Sequence, residues 1–518
     1  MTYDTIAKKA DQSARWMAVA LGFAIPLSTT VASILSAIVV LLWFLSGNFK
    51  DKFAAIRGNP VAVSAILVSG LFFAGMLWGE ANQDSVSHAA RFLLIPFLIP
   101  LFSESKTRRY ALWGFLSAMV LTLVLSYLAW FGLLPKSDIL RNTTTPYFGL
   151  YEFREGLTIE RLCQKISDDI GVVPLSNSDY NVGRLNEVLK IPDLYDRLRV
   201  KRNEQRYSAE IADLVNETSG YRTVRELSSL TAAKQEKILT LNRLLLKETY
   251  PNETPASSRD KSVAVSVIQH KITHNFLMAM AAFLLAVRIR FTKGHATKAL
   301  LTLLTGLVLF NLLFMVGGKT GYVVILVLMV YFFIDWLQLK RGIIAASVVL
   351  ILLGAVVWMF PSSQLYTRTV SIFDQLAEWH PERADESSVG QRLEFYNNSL
   401  KIIRGNPVLG VGTGNFATAY ARTVKGTLMD RTDNPHNEYL LTAVQLGLVG
   451  LAALLYMFFT QWRFGGKIYH PEERIMARGL VLAIVVGCLF NSFLKDYTEG
   501  LLYFWMSAVL FSSLTDSK

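Results

Sequence analysis

The chain has 518 residues, of which 52% are hydrophobic and 18% charged. Soluble domains carry about 25% charged residues, so this composition excludes an ordinary soluble enzyme and points to an all-α integral membrane protein. The formal net charge of +12 does not indicate nucleic acid, because the basic residues are spread over many short loops instead of gathering on one face.

Apolar runs of roughly 17 to 25 residues cross a bilayer as helices. Twelve transmembrane helices are expected, at about 13–28, 29–46, 61–79, 87–103, 109–132, 268–288, 297–316, 320–337, 342–360, 437–461, 475–493 and 499–514. The first two are short and tightly joined through Pro26, Leu27, Ser28 and Thr29. A basic N-terminus ahead of an apolar run also suits a signal peptide, but no small-residue cleavage site precedes a polar mature start, so the segment is read as a span.

One set of alternate loops holds Lys8, Lys9, Arg15, Lys50, Lys52, Arg57, Lys106, Arg108, Arg109, Arg288, Arg290, Lys293, Lys298, Lys340, Arg341, Arg463, Lys467 and Arg474. The short loops of the other set hold little beyond Arg91, Lys319 and Lys495. By the positive-inside rule both termini are cytoplasmic, which an even number of spans satisfies. The expected organisation is residues 1–134 with helices one to five, 135–265 as an inserted soluble helical segment, 266–360 with helices six to nine, 361–435 as a long loop, and 436–518 with helices ten to twelve. Parity puts both hydrophilic segments outside the cytoplasm. Cys163 falls on one of them and Cys488 on an expected span, so they suggest neither a disulfide nor a metal site.

The inserted segment is nearly neutral, with 20 Lys and Arg against 19 Asp and Glu between 136 and 262. Its tail sets Ile238, Leu239, Leu241 and Leu245 at helical spacing ahead of Pro251, so a small helical domain is expected. In the second segment, "SSVGQRLEFYNNSLKIIRGNP" starts a helix at Ser387 or Ser388 and ends it at Gly405 and Pro407, with Leu393, Tyr396, Leu400 and Ile403 as one apolar stripe. Arg392 then sits in its first turns. The glycines of "GVGTGNF" (410, 412 and 414) lack the preceding strand that a nucleotide loop requires. They mark a turn that brings backbone close to a ligand or membrane.

His436 stands one residue before the apolar run that begins at 437. On the same side lie Arg91, Lys319, Arg392, and Lys495 with Asp496. Snorkelling to headgroups accounts for Arg91, Lys319 and Lys495 one at a time, but ionisable groups gathered at membrane depth are functional candidates. Arginine engages a diphosphate bidentately, and neutral histidine can accept a proton near pH 7. Together they suit transfer from a lipid diphosphate to an alcohol. His270 and His274, at i and i+4, are the one histidine pair, and no third ligand stands near them for a metal site.

The order "QRLEFYNNSLKIIRGNPVLGVGTGNF" followed by "DNPHNEYLLTAVQLGLVGLAALLYMF" resembles the signature loop and following helix of the O-antigen ligase and polymerase superfamily. The resemblance covers about 385 to 460 strongly and the span layout weakly. It implies a GT-C-type membrane glycosyltransferase of lipopolysaccharide biosynthesis in the bacterial inner membrane, with its site facing the periplasm. The donor it implies is undecaprenyl-diphosphate-linked glycan, and in the ligase branch the acceptor is the outer core sugar of lipid A-core. By similarity His436 is the catalytic base and Arg392 the loop arginine, while Lys319 stands in "GGKTGY" where relatives usually carry arginine. Arg91, Asn437, Glu438, Lys495 and Asp496 complete the expected substrate-binding set, with Asn437 and Glu438 as candidates to orient the imidazole. No cofactor or metal is expected, and the displacement is inverting. The inserted segment 135–265 departs from the family layout. A polymerase or a protein O-oligosaccharyltransferase would share this signature. A transporter is the non-enzyme alternative, though the sequence has neither internal repeats nor paired Gly/Pro-broken spans.

Overall fold

The computed structural model describes residues 3–133, 268–359, 388–424 and 432–515, with isolated residues between 366 and 379. The expected insertion at 135–265, its tail helix and Cys163 lie outside the described residues. Among the described residues every element is helical, consistent with a multi-pass membrane protein. The N-terminal group is α1 (Tyr3–Ala24), α2 (Thr29–Leu45), α3 (Phe49–Arg57), α4 (Pro60–Gly75), α5 (Gln83–Arg91), α6 (Leu94–Leu98, continued as a 3-10 turn to Phe102) and α7 (Ser105–Trp130). Then come α8 (Lys271–Phe291), α9 (His295–Phe310, continued as a π turn to Met315), α10 (Lys319–Leu337) and α11 (Leu339–Met359). The C-terminal group is α12 (Ser388–Gly405), α13 (Phe416–Thr423), α14 (Glu438–Gly465), α15 (Pro471–Gly487) and α16 (Tyr497–Phe511).

A helix occupies each of the twelve expected apolar segments. Five are long and apolar enough to cross a membrane, and two bent pairs bring the number up to seven. The pairs are α2 with α3, bent by 117°, and α5 with α6 and its 3-10 turn, bent by 45°. Residues 87–103, expected as one span, therefore form a bent pair of helices, a broken span or a re-entrant loop. Local chemistry sets the starts. The Ser28 side chain accepts from Val31 N–H to open α2, and the Asn59 side chain accepts from Val61 and Ala62 N–H ahead of Pro60, whose missing N–H costs nothing at a first helical position.

The core runs along α16, whose residues from Thr498 to Phe511 are all buried, and α8, buried on most of its length. By contrast, Ile34, Leu41, Leu300, Leu303, Ile351 and Leu352 on α2, α9 and α11 are apolar and exposed, the pattern of surfaces that face lipid. At the end carrying the basic loops, Arg108 is fully buried between Glu473 (3.0 Å) and the Phe102 and Ser103 carbonyls (3.1 and 3.0 Å), and Arg288 pairs with Glu472 at 2.5 Å.

The glycine loop explains a break in α14. Gly447 has φ +62° inside that helix, which leaves the Val444 and Gln445 carbonyls and the Leu448 and Val449 N–H groups without the i to i−4 partners they would give each other. Residues 407–412 supply all four. Val411 and Gly412 N–H donate to the two carbonyls at 2.9 Å each, and the Pro407 and Val408 carbonyls accept from Leu448 and Val449 at 2.8 and 3.3 Å. Irregular backbone survives at membrane depth only when its polar groups are answered by protein. Gly412, at φ +95°, meets the Gly79 backbone where a Cβ would stand. These glycines thus admit backbone against backbone, of α14 and of the turn after α4, where a ligand or membrane was expected.

Candidate active site

His436 is placed by a short run of turn chemistry. The Asn434 side chain accepts from His436 N–H at 2.8 Å, an Asx turn closed around Pro435. His436 takes φ +53°, a left-handed conformation that non-glycine residues adopt uncommonly and histidine more readily than most. Asn437 then caps α14, its side chain accepting from Leu440 N–H at 3.0 Å. Ser492 Oγ donates to Asn434 Oδ1 at 2.7 Å and so fixes the turn from the far side.

The imidazole is half-buried and lies against Phe395 of α12, ring centroids 6.1 Å apart and planes 30° apart. Neither ring nitrogen has a hydrogen-bond partner among the described residues. Burial first, and then the Arg392 guanidinium, push the ring down to about 4 from its ordinary value of 6.5, with Asp433 opposing and Lys495 adding a smaller downward push. The ring is neutral at physiological pH.

Expected orienting roles for Asn437 and Glu438 are not what their side chains do here. Asn437 Nδ2 donates to the Leu489 carbonyl at 3.0 Å. Glu438 is fully buried, one carboxylate oxygen accepting from Leu494 and Lys495 N–H at 2.9 and 3.2 Å and the other 3.5 Å from His88 Nε2. Neither hydrogen-bonds the imidazole, whose orientation comes from Phe395 and the backbone turn.

Arg392 lies in the first turns of α12. That helix starts at Ser388 as expected, while Ser387 lies outside the described residues. Its buried side chains are Glu394, Phe395, Asn398, Ser399 and Ile402, and Leu400 of the expected stripe is 45% exposed. Apolar side chains on a membrane-edge helix can face lipid as readily as core. Phe395 packs edge-on to the buried Tyr420 of α13, and Asn398 donates to the Tyr420 hydroxyl at 3.2 Å. The half-buried Arg392 guanidinium, pushed down from its ordinary value by burial, touches Asn491 Oδ1 at 3.5 Å and pairs with no carboxylate among the described residues. A cation withdrawn from water without a counter-ion is suited to an incoming anion.

The other cations differ in how far they are already engaged. Lys319 is half-buried at the first position of α10. The turn before it is held by Asn275, whose amide donates to the Val316 and Gly318 carbonyls at 2.9 and 3.3 Å, and Gly318 must be glycine because a Cβ would stand 2.7 Å from that amide. Lys495 donates to the Asp433 carbonyl at 2.8 Å and carboxylate at 3.1 Å. Arg91, at the end of α5, donates to the Lys495 and Asp496 carbonyls at 2.6 and 3.0 Å, which ties α5 to the start of α16. Burial and the neighbouring Glu499 push the Asp496 carboxyl well above its usual range. His274 Nε2 pairs with Asn311 Oδ1 at 2.8 Å, and His270 accepts from Ile272 N–H at 3.5 Å, so the two histidines do not act as a ligand pair.

These groups meet at the turn 488–496 between α15 and α16. The span expected to run to 493 stops at Gly487. The carbonyls it frees are taken from outside: Cys488 by Glu438 N–H at 2.9 Å, and Leu489 by Asn437 and by the Tyr396 hydroxyl at 2.8 Å. Tyr396 also reaches the His436 carbonyl at 3.2 Å. Reading the sequence missed Tyr396, Asn434, Asn491 and Ser492. "DNPHN" carried an Asx-turn signal, and the polar pair Asn491-Ser492 inside an apolar run signalled that the span ends early.

Residues 304–455 match the model of a family described as O-antigen ligase. The match takes in Lys319, Arg392, the glycine loop and His436, and bears out the resemblance carried by those motifs. An uncharacterized protein of Haemophilus influenzae (strain ATCC 51907 / DSM 11121 / KW20 / Rd) is 24% identical over 148 residues, which is 28% of this chain and 37% of that protein.

Proposed function

With residues 304–455 carrying the O-antigen ligase family's domain, we propose that the protein transfers O-antigen glycan from undecaprenyl diphosphate to the outer core sugar of lipid A-core. It works as a twelve-span GT-C-type glycosyltransferase of the inner membrane, both termini cytoplasmic and the site facing the periplasm. One observation carries the reading: a neutral imidazole with both ring nitrogens unbonded lies next to a half-buried arginine that has no carboxylate partner among the described residues.

His436 takes the proton from the attacking sugar hydroxyl, whose oxygen forms the new bond to the anomeric carbon from the side opposite the leaving group. The bond from that carbon to the diphosphate oxygen breaks, its electron pair stays with undecaprenyl diphosphate, and configuration inverts. Arg392 and Lys319 bind that leaving group and meet the charge that grows on it. A preorganised donor of this kind is worth ~3 to 4 kcal/mol in the transition state. Arginine gives Arg392 a planar fork for two phosphate oxygens, while Lys319 contributes a point charge. Arg91, Asn437 and Glu438 support the site by fixing the turn 488–496 and the start of α14, and Lys495 with Asp433 closes one side of it.

The test is purified protein in lipid vesicles with undecaprenyl-diphosphate-linked glycan and lipid A-core, read by gel mobility. Glycan appearing on lipid A-core is the expected result. Lengthened lipid-linked glycan would select a polymerase, and glycan on an added acceptor protein would select a protein O-oligosaccharyltransferase. Movement of the lipid across the vesicle without any transfer would overturn the enzymatic reading.

A further inference from the structure

Asn491 lies outside the segment that matches the family model, yet it joins the two cations assigned to the diphosphate. Its side chain is 2% exposed. Oδ1 accepts from Arg392 Nη2 at 3.5 Å, and Nδ2 donates to Thr320 Oγ1 at 2.7 Å. Thr320 follows Lys319 in the first turn of α10, so a single amide spans from the loop helix that bears Arg392 to the helix end that bears Lys319.

The residue type matters. An amide has an acceptor end and a donor end and no charge. It can touch a guanidinium with one end and a hydroxyl with the other while leaving the arginine's charge uncancelled. A carboxylate in the same place would hold Arg392 more tightly and neutralise it, and would lose the donor to Thr320. The contact to Arg392 is long, and it occupies one of five guanidinium N–H donors, so the others stay available to an anion. Desolvation is already imposed on Arg392 by the fold, which makes an uncancelled charge there a strong attractor for phosphate oxygens.

We propose that Asn491 is a positioning residue for the donor diphosphate, a neutral bridge that sets Arg392 and the Lys319 end of α10 at the spacing of the diphosphate without cancelling the charge of Arg392. This rests on the proposed function and adds a residue, from a different part of the chain, to the machinery of that site.

The experiment compares Asn491→Asp, Asn491→Ala and wild type, as full-length purified proteins, in donor KM, acceptor KM, kcat and inhibition by inorganic pyrophosphate. Aspartate matches the shape of asparagine but is charged and loses the donor to Thr320, so a merely structural role disturbs donor KM, acceptor KM and Tm together. The bridge role predicts a separation: donor KM rising about ten-fold or more in N491D and a few-fold in N491A, acceptor KM unchanged in both, and pyrophosphate inhibition weakened in the same order. Donor KM in N491D at or below that of N491A overturns the proposal. Should N491D fail to purify, N491A alone decides it, because equal changes in donor and acceptor KM would mark a general distortion and overturn the bridge. Wild-type protein that transfers no glycan sinks the proposed function itself, whereas an active wild type with an unaltered N491D sinks only the role of Asn491.

Discussion

The proposed base, His436, is best tested by its titration. From the unperturbed value of histidine, activity would be expected to fall as pH drops through 6 to 7. The structure moves that limb. A fall from 6.5 to about 4 corresponds to about 3 kcal/mol in favour of the neutral ring, with burial the largest cause and Arg392 the next. Donor kcat/KM, which reports the free enzyme, is therefore expected to be level from pH 8 down to about pH 5 and to fall with an acid limb near 4. A bound diphosphate brings negative charge that offsets Arg392, so the limb in kcat, which reports the complex, lies at higher pH than the limb in kcat/KM. Arg392→Gln removes the second of the downward pushes, and its kcat/KM limb should rise toward 6.5 without reaching it, since burial remains. The assay is initial-rate transfer between pH 4 and 8 with lipid-linked glycan as the varied substrate. A wild-type kcat/KM limb at 6 to 7, unmoved in R392Q, would refute the argument that Arg392 and burial set the state of the ring. The sign for stability follows. The unfolded chain binds this proton at 6.5 and the folded one only near 4, so stability is present above pH 6.5 and is lost as pH falls toward 4. His436→Gln should flatten that part of the dependence of Tm on pH.

Three further outcomes are expected. Gly412→Ala puts a Cβ against the Gly79 backbone at φ +95°, and should cost at least ~2 kcal/mol, seen as a lower Tm; an unchanged Tm would show that the loop does not close the break in α14 in the working protein. Lys319→Arg restores the planar fork and should keep or raise turnover while lowering donor KM, and a ten-fold loss would deny Lys319 a phosphate contact. With Cys163 and Cys488 replaced, a single cysteine at Arg404 should react with a membrane-impermeant maleimide in intact spheroplasts, and one at Tyr469 only after permeabilisation; the reverse labelling would break the parity on which the side of the site depends.

Long apolar runs made the helical membrane architecture legible, because they follow from transfer of side chains into lipid and need no knowledge of packing. The stretch holding Arg392 and His436 was legible as a motif because its residues follow one another in a recognisable order, whereas the Asx turn at Asn434 and the packing of the glycines against other backbone were not read from it. Where the chain breaks a span to serve another segment, the sequence reads differently from the fold. Residues 488–493 look like the end of a helix until their carbonyls find Glu438, Asn437 and Tyr396, which lie 50 or more residues away. Lys495 and Arg91 read as equivalent to Arg392 by charge, and only their partners distinguish a cation already engaged by Asp433 or by backbone carbonyls from one that has no carboxylate.

The division of labour between His436 and Arg392 is tested most directly by measuring donor affinity and single-turnover transfer together in purified His436→Ala and Arg392→Ala. The account predicts that His436→Ala binds lipid-linked glycan as wild type does and loses turnover by roughly 10² to 10⁴, while Arg392→Ala loses affinity and rate together. Near wild-type turnover in His436→Ala would contradict it, and the base would have to be another group.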